Sequence, residues 1–146
     1  MKLKPAKPLT IFTPKKSTSE GSLFIDIGIS AGFPSPTNDF EETRISLDEE
    51  LIRNKETTFF AKVSGQSMIN AGLDDNDLLV IDRSIPPTNG KIAVCFLDGE
   101  FTVKRLRVEH DKVWLKPENP EYPIIEITEE NNFIVWGIVT NVIKRV

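Results

Sequence analysis

The sequence predicts a mainly β protein: a curled, barrel-like antiparallel sheet with one short helix and an extended N-terminal arm. Three observations carry this. From residue 58 onward, seven short segments rich in β-branched and aromatic residues follow one another, separated by Gly, Pro, Asn and Asp. Asp98-Gly99 joins two of them, and this residue pair is favoured in tight hairpins, where both turn positions need positive φ. Finally, there is no βαβ rhythm, no glycine-rich phosphate loop and no internal repeat, so hairpin-linked strands must form the core.

Taken in order, the chain begins with a segment carrying Pro5, Pro8 and Pro14 and the polar stretch KKSTSEGS. Breakers at that density predict no helix or strand before about residue 22. In LFIDIGISAGFPSPTNDF the apolar first half can be extended, and the second half holds two prolines and turn residues. SLDEELIRN reads as a short helix. Ser46 suits its N-cap, Glu49 three residues on completes a capping box, and Leu47, Leu51 and Ile52 supply an apolar stripe. The strands that follow are TFFAKVS, DLLVIDR, KIAVCFL, EFTVKRLRV, KVWLK, IIEIT and FIVWGIVTNVIKR. Trp114 and Trp136 lie on them and are expected in the core.

The chain has 146 residues, 39% of them hydrophobic and nine of them Phe, enough for one domain with a real core plus an arm. Its longest apolar runs, such as IAVCFL, are far short of the ~20 residues of a membrane span. No apolar stretch of signal-peptide length follows the basic N-terminus. A single cysteine, Cys95, excludes an internal disulfide, and no metal-ligand spacing is present. A soluble, cytoplasmic protein without metal or cofactor is therefore expected. Residues 1–31 carry a net charge of +3 and the remainder −7. An acidic body argues against direct sequence-specific DNA binding. The basic arm reads as a solvated tail, with contact to DNA or an acidic partner as the alternative.

The chemistry centres on FFAKVSGQSMINAGL, residues 59–73, where a strand-like run stops at a glycine and Ser67 follows. A serine hydroxyl is a weak nucleophile until a base takes its proton. The only histidine, His110, lies in the polar turn VEHDKV and reads as a solvated turn residue; Cys95, inside IAVCFL, reads as a small core residue. Lysine remains, since serine–lysine pairs are a variant of the serine–histidine arrangement. In EFTVKRLRV, alternation puts Thr102, Lys104 and Leu106 on one face and Phe101, Val103 and Arg105 on the other. Alternation alone leaves open whether Lys104 and Arg105 both simply reach out to water. A free lysine, with a pKa of about 10.4, is neutral only about once in 2,500 at pH 7. Burial can lower that pKa by about three units, at a cost of roughly 4 kcal/mol. Since whole domains are stable by only about 5–15 kcal/mol, such a lysine suits a switch better than a constantly active hydrolase.

SGQSM followed by VKRL, with Ser67 and Lys104 37 positions apart, resembles the LexA/UmuD self-cleaving Ser-Lys peptidases. The resemblance runs from about residue 24 to 146 through ISAGFPSP, FFAKVSGQSM, DLLVIDR, DGEFTVKRL, LKPENPEY and WGIVTNVIKRV. It is nearest to the short UmuD-type accessory proteins of translesion polymerases, which lack the DNA-binding domain of the repressors. It implies Ser67 as nucleophile, Lys104 as general base and Ala31–Gly32 as the scissile bond. It also implies a removable arm, residues 1–31, and a peptidase domain, residues 32–146. Ala31 is small enough for a tight pocket, and Gly32 lets the backbone approach the attacking oxygen; in isolation the pair would read as an ordinary turn. Leu23, Phe24, Ile25, Ile27 and Ile29 could anchor the segment as an added strand. An oxyanion hole of main-chain N–H groups near Ser67 is expected, because suitable side-chain donors are few there. By the same resemblance, a RecA–single-stranded DNA filament triggers cleavage in the SOS response to DNA damage. The processed form is expected to be a homodimer that serves a Y-family DNA polymerase. The chain departs from the family pattern in having Asn76, in DDNDLLV, where Gly is common; Asn tolerates a left-handed backbone. Its Ala-Gly bond is the one typical of the repressors.

Two other readings stand beside this one. A soluble processing peptidase of the signal-peptidase type would also use serine and lysine, but should carry a membrane anchor. A non-enzymatic, β-rich dimeric binding module would leave Ser67 incidental.

Overall fold

The computed structural model describes residues 10–14, 22–25, 31–32 and 42–146. In chain order its elements are β1 (Thr10–Phe12), β2 (Ser22–Ile25), β3 (Glu42–Ile45), α1 (Leu47–Leu51), β4 (Thr58–Lys62), β5 (Leu78–Asp82), β6 (Ile92–Leu97), β7 (Glu100–Glu109), β8 (Lys112–Lys116), β9 (Ile125–Glu126) and β10 (Phe133–Ile143). A 3-10 turn covers Ile69–Ala71 between β4 and β5. The chain forms two compact units. One joins β1 to residues 54–146, and the other lies within residues 15–53.

The larger unit is one antiparallel eight-stranded sheet in the order β1-β4-β5-β10-β6-β7-β8-β9. All seven strands expected after residue 58 are present. The mainly β class holds, but the hydrogen-bonded ladder is open, with β1 and β9 at its edges. Two irregularities in β10, at Val135/Gly137 against β6 and at Val139/Asn141 against β5, are bulges of the kind that bend a strand and increase its twist. At the first of them a side chain has no room: a Cβ on Gly137 would stand 2.6 Å from the Ile81 Cγ2 on β5.

Alternation divides the core. Ala61, Val63, Met68, Leu73, Leu79, Ile81, Val94 and Val103 pack into one cluster. Ala93, Cys95, Leu106, Leu115 and Ile138 form another. Within β6, Val94 therefore serves one cluster and its neighbours Ala93 and Cys95 the other. The tryptophans are half-buried rather than central. Trp136 meets Phe59 and Phe101 edge-on, at ring separations of 5.0 and 5.9 Å, and Trp114 lies beneath the Arg107 guanidinium. The β6–β7 hairpin turns at Asp98 (φ 48°) and Gly99 (φ 91°), both left-handed as their identities predict. Asn76 also accepts a positive φ, 70°, so the turn before β5 survives without glycine.

Three local expectations need correction. A strand does form before residue 22: β1 pairs with β4 through Thr10↔Lys62, Ile11↔Ala61 and Phe12↔Phe60. The prolines delimit this strand rather than prevent it, because Thr-Ile-Phe is β-favourable and an edge position tolerates flanking Pro. In the smaller unit, β3 was not anticipated; it pairs with β2 from Ser22↔Ile45 to Ile25↔Glu42. Ser46 has the extended backbone of an N-cap, but its side chain makes no capping hydrogen bond, and α1 buries none of its residues. Leu47 is 62% exposed while Leu51 and Ile52 are half-buried, so the expected apolar stripe is only partly covered.

Candidate active site

Ser67 sits in the connection between β4 and β5. Beyond β4, Val63 stays in register by donating to the Asp77 carbonyl and accepting from the Asn76 N–H. Gly65 then turns the chain at φ 94° and donates its N–H to the Asp75 carboxylate at 2.8 Å. Met68 and Leu73, 2% and 1% exposed, plug the far end of the loop into the core. A polar residue between a left-handed glycine and a buried methionine is left half-exposed at the surface.

The segment after β8 holds this loop from the side. Glu118 N–H donates to the Ser67 carbonyl at 2.9 Å, and the Glu118 carbonyl accepts from Asn70 N–H at 2.8 Å. The Asn119 side-chain amide donates to the Gln66 carbonyl at 2.8 Å. Among the described residues, the N–H groups of Gln66, Ser67 and Met68 donate to no protein acceptor. They are the main-chain donors on hand for a developing oxyanion.

Lys104 lies in the middle of β7, opposite Ala93 of β6, on the face it shares with Leu106. It is 7% exposed and does not reach out to water. Its Nζ donates to Ser67 Oγ at 2.9 Å, Thr102 Oγ1 at 2.8 Å and the Val103 carbonyl at 3.1 Å. Among the described residues it forms no ion pair. Burial lowers its pKa to about 8 from an ordinary 10.5. The Cys95 thiol is its neighbour on the same face, across the strand from Thr102. Burial pushes that thiol up to about 12, so it is neutral over the range where Lys104 titrates and does little to hold the ammonium in place.

An ammonium has three N–H donors, and here three acceptors take them. A neutral amine has two N–H groups and a lone pair, so deprotonation must invert one contact. Thr102 can accommodate either role, the Val103 carbonyl can only accept, and Ser67 can donate its hydroxyl proton to the lone pair. That last arrangement is the geometry of a general base at a nucleophile.

The structure thus brings Ser67 and Lys104 together and leaves His110 and Cys95 outside this hydrogen-bonded contact. His110 occupies the exposed β7–β8 turn at φ 47°, and Cys95 is buried in the core. Ala31 and Gly32 form an exposed bend in the smaller unit. Leu23, Phe24 and Ile25 lie in β2, whose ladder partner is β3; Ile27 and Ile29 lie outside the described residues. Sequence reasoning put Thr102 on the Lys104 face without giving it a role, although a hydroxyl two residues from a buried amine was a usable signal. Nothing local pointed to Glu118 and Asn119, because their contacts to the serine loop span about fifty residues.

Residues 24–140 match the family Peptidase S24-like. Protein MucA of Salmonella typhimurium is 40% identical over 114 residues, covering 77% of this chain and 77% of the relative. Protein ImpA of Shigella flexneri is 41% identical over 117 residues, covering 79% and 78%. The LexA repressor of Frankia alni is 37% identical over 118 residues, covering 81% of this chain and 45% of the repressor. With the match spanning both the serine loop and β7, the chain belongs to the Peptidase S24-like family, within the LexA/UmuD group that its motifs resemble.

Proposed function

We propose that this chain is a self-cleaving serine peptidase in which Ser67 is the nucleophile, Lys104 the general base and Ala31–Gly32 the bond cut. The observation that supports it most directly is the 2.9 Å contact between Ser67 Oγ and a lysine amine only 7% exposed. Neutral Lys104 takes the hydroxyl proton as Oγ attacks the Ala31 carbonyl carbon. Main-chain amides beside Ser67 hold the oxyanion. The tetrahedral intermediate collapses to an Ala31–Ser67 ester as Lys104 returns the proton to the Gly32 amine. A water, deprotonated by the same amine, then hydrolyses the ester and frees Ser67. This divides the chain into an arm, residues 1–31, and a processed domain, residues 32–146.

The biological setting follows from similarity. Relatives such as MucA and ImpA, matched over about three quarters of both chains, support a UmuD-like role in SOS mutagenesis. In that setting a RecA–single-stranded DNA filament in the cytoplasm favours the state with the cleavage strand docked. The processed form dimerises and binds a Y-family translesion polymerase. Cleavage changes the net charge from −4 to −7. It also severs β1, which lies within residues 1–31 and covers the β4 edge. Among the described residues, no helix is long and apolar enough to cross a membrane.

The decisive experiment is incubation of the purified protein at pH 10, read by intact mass. The expected product begins at Gly32, and Ser67→Ala and Lys104→Ala each abolish it. A full-length mass persisting in all three proteins would leave only a folded binding module. Equal capture of a Y-family polymerase by uncleavable and processed protein would overturn the signalling role alone.

A further inference from the structure

Arg105 follows Lys104 directly on β7 and points to the opposite face, where its guanidinium spans two partners. Nε donates to Glu118 Oε1 at 2.6 Å, and Nη1 donates to the Gly90 carbonyl at 2.6 Å. The second contact belongs to the loop before β6, whose strand lines the other side of β7. Glu118 is also the residue whose main chain brackets the nucleophile loop, donating to the Ser67 carbonyl and accepting from Asn70 N–H. The strand that carries the amine therefore also carries, one residue later, the grip on the loop that carries the hydroxyl.

We propose that Arg105 and Glu118 are a positioning pair for the Ser67–Lys104 reaction. Their ion pair fixes the segment after β8 against β7, and Glu118 passes that register to Ser67 through the main chain. Neither side chain touches the reacting atoms. The chemistry favours arginine: a planar guanidinium presents its donors in a rigid fork and holds a carboxylate and a carbonyl in fixed directions, whereas a lysine ammonium is a compact charge on a flexible stem that imposes less direction. The Arg107–Glu109 pair two residues along the same strand is the internal contrast. It is longer, at 3.3 Å, more exposed, and holds no part of the serine loop.

This inference rests on the self-cleavage reading, and the test separates the two. Self-cleavage of the full chain is followed at pH 10, where Lys104 is neutral, so the rate reports geometry and not protonation. Arg105→Gln and Glu118→Ala are each expected to slow it about 10–100-fold, the scale on which small misplacements of reacting groups act. The double variant should be no slower than the worse single one, because both remove the same link. Glu118→Gln still offers a carbonyl acceptor and should recover much of the rate. Arg107→Gln should cleave as the wild type does. In the Ser67→Ala background, Arg105→Gln should also hasten exchange of the Asn70 amide while β5 and β6 amides stay protected. Absence of wild-type cleavage would defeat the peptidase reading itself. Wild-type cleavage matched within twofold by Arg105→Gln and Glu118→Ala would overturn the positioning role alone. So would a slowing that merely follows loss of folded protein by circular dichroism.

Discussion

The Lys104 amine donates to the Ser67 hydroxyl at 2.9 Å across 37 positions of sequence. Strand pairing creates the contact. The β6–β7 hairpin places Lys104 opposite Ala93, the smallest buried side chain of that strand, which leaves the amine space to lie beneath the serine loop. A residue that ordinarily extends into water is thereby enclosed, and its charge becomes the variable that governs the site.

The rate of self-cleavage should therefore rise with pH and level off. Because burial lowers the Lys104 pKa to about 8, the neutral base grows as pH passes through that value and is nearly complete by pH 10. The expected rate profile has a single ascending midpoint near 8, measured by the disappearance of full-length protein on gels. A midpoint near 10.4, that of a solvated lysine, would show that the amine is not enclosed during the reaction.

The same burial predicts a stability effect of defined sign. The folded-state pKa of Lys104 lies below its unfolded value, so between about pH 8 and 10.5 the unfolded chain binds more protons. Stability then rises with pH through that window, and below it the full penalty of the enclosed charge applies. In the Ser67→Ala background, Lys104→Met should raise stability at pH 7 by about 1–3 kcal/mol, the desolvation gain less the lost hydrogen bonds. The advantage should shrink as pH rises from 8 to 10.5. Thermal melts at several pH values measure it; an advantage that does not change with pH would mean that packing, and not charge, is responsible.

Thr102→Val tests the third group at the site. The Thr102 hydroxyl accepts from Lys104 Nζ at 2.8 Å, so it stabilises the ammonium and aims the amine. Valine keeps the shape and removes the acceptor. The charged form loses a partner, and the midpoint of the pH–rate profile should move down. The amine is also less well aimed, and the plateau should fall about tenfold. A lower plateau with an unmoved midpoint would assign Thr102 to orientation alone.

Much of this architecture was legible in the sequence because hairpin chemistry is local. Asp98-Gly99 specifies its turn, and the strands after residue 58 carry their own β propensity. The Ser67–Lys104 pairing could be expected from the family resemblance carried by SGQSM and VKRL, whereas alternation only put Lys104 on the Leu106 face. Whether its amine would be buried or reach water depended on a tertiary fact, the small Ala93 across the ladder. Arg105 and Glu118 are separated by 13 positions and join through side chains that elsewhere form ordinary surface pairs. The β1 strand is hidden in the sequence because its flanking prolines read as breakers, whereas β1 gains its stability by pairing with β4 and seating Ile11 on the core.

That seat yields the last prediction. Ile11 is half-buried against the cluster containing Ala61 and Val63, whereas Phe12 beside it is 44% exposed. Ile11 thus anchors a three-residue strand that is too short to hold a sheet edge by its ladder alone. While the arm is intact, the tether keeps β1 at high local concentration against β4; on the proposed cleavage at Ala31–Gly32, rebinding would compete with dilution. Ile11→Asp places a carboxylate where the aliphatic group sat and should free the edge without any cleavage. Hydrogen exchange at Phe60–Lys62 in Ser67→Ala protein is expected to be slow, and to quicken to the same degree in Ile11→Asp/Ser67→Ala and in processed wild type. Slow exchange in all three would mean that β4 is protected by something other than β1, and that removal of the arm leaves this edge closed.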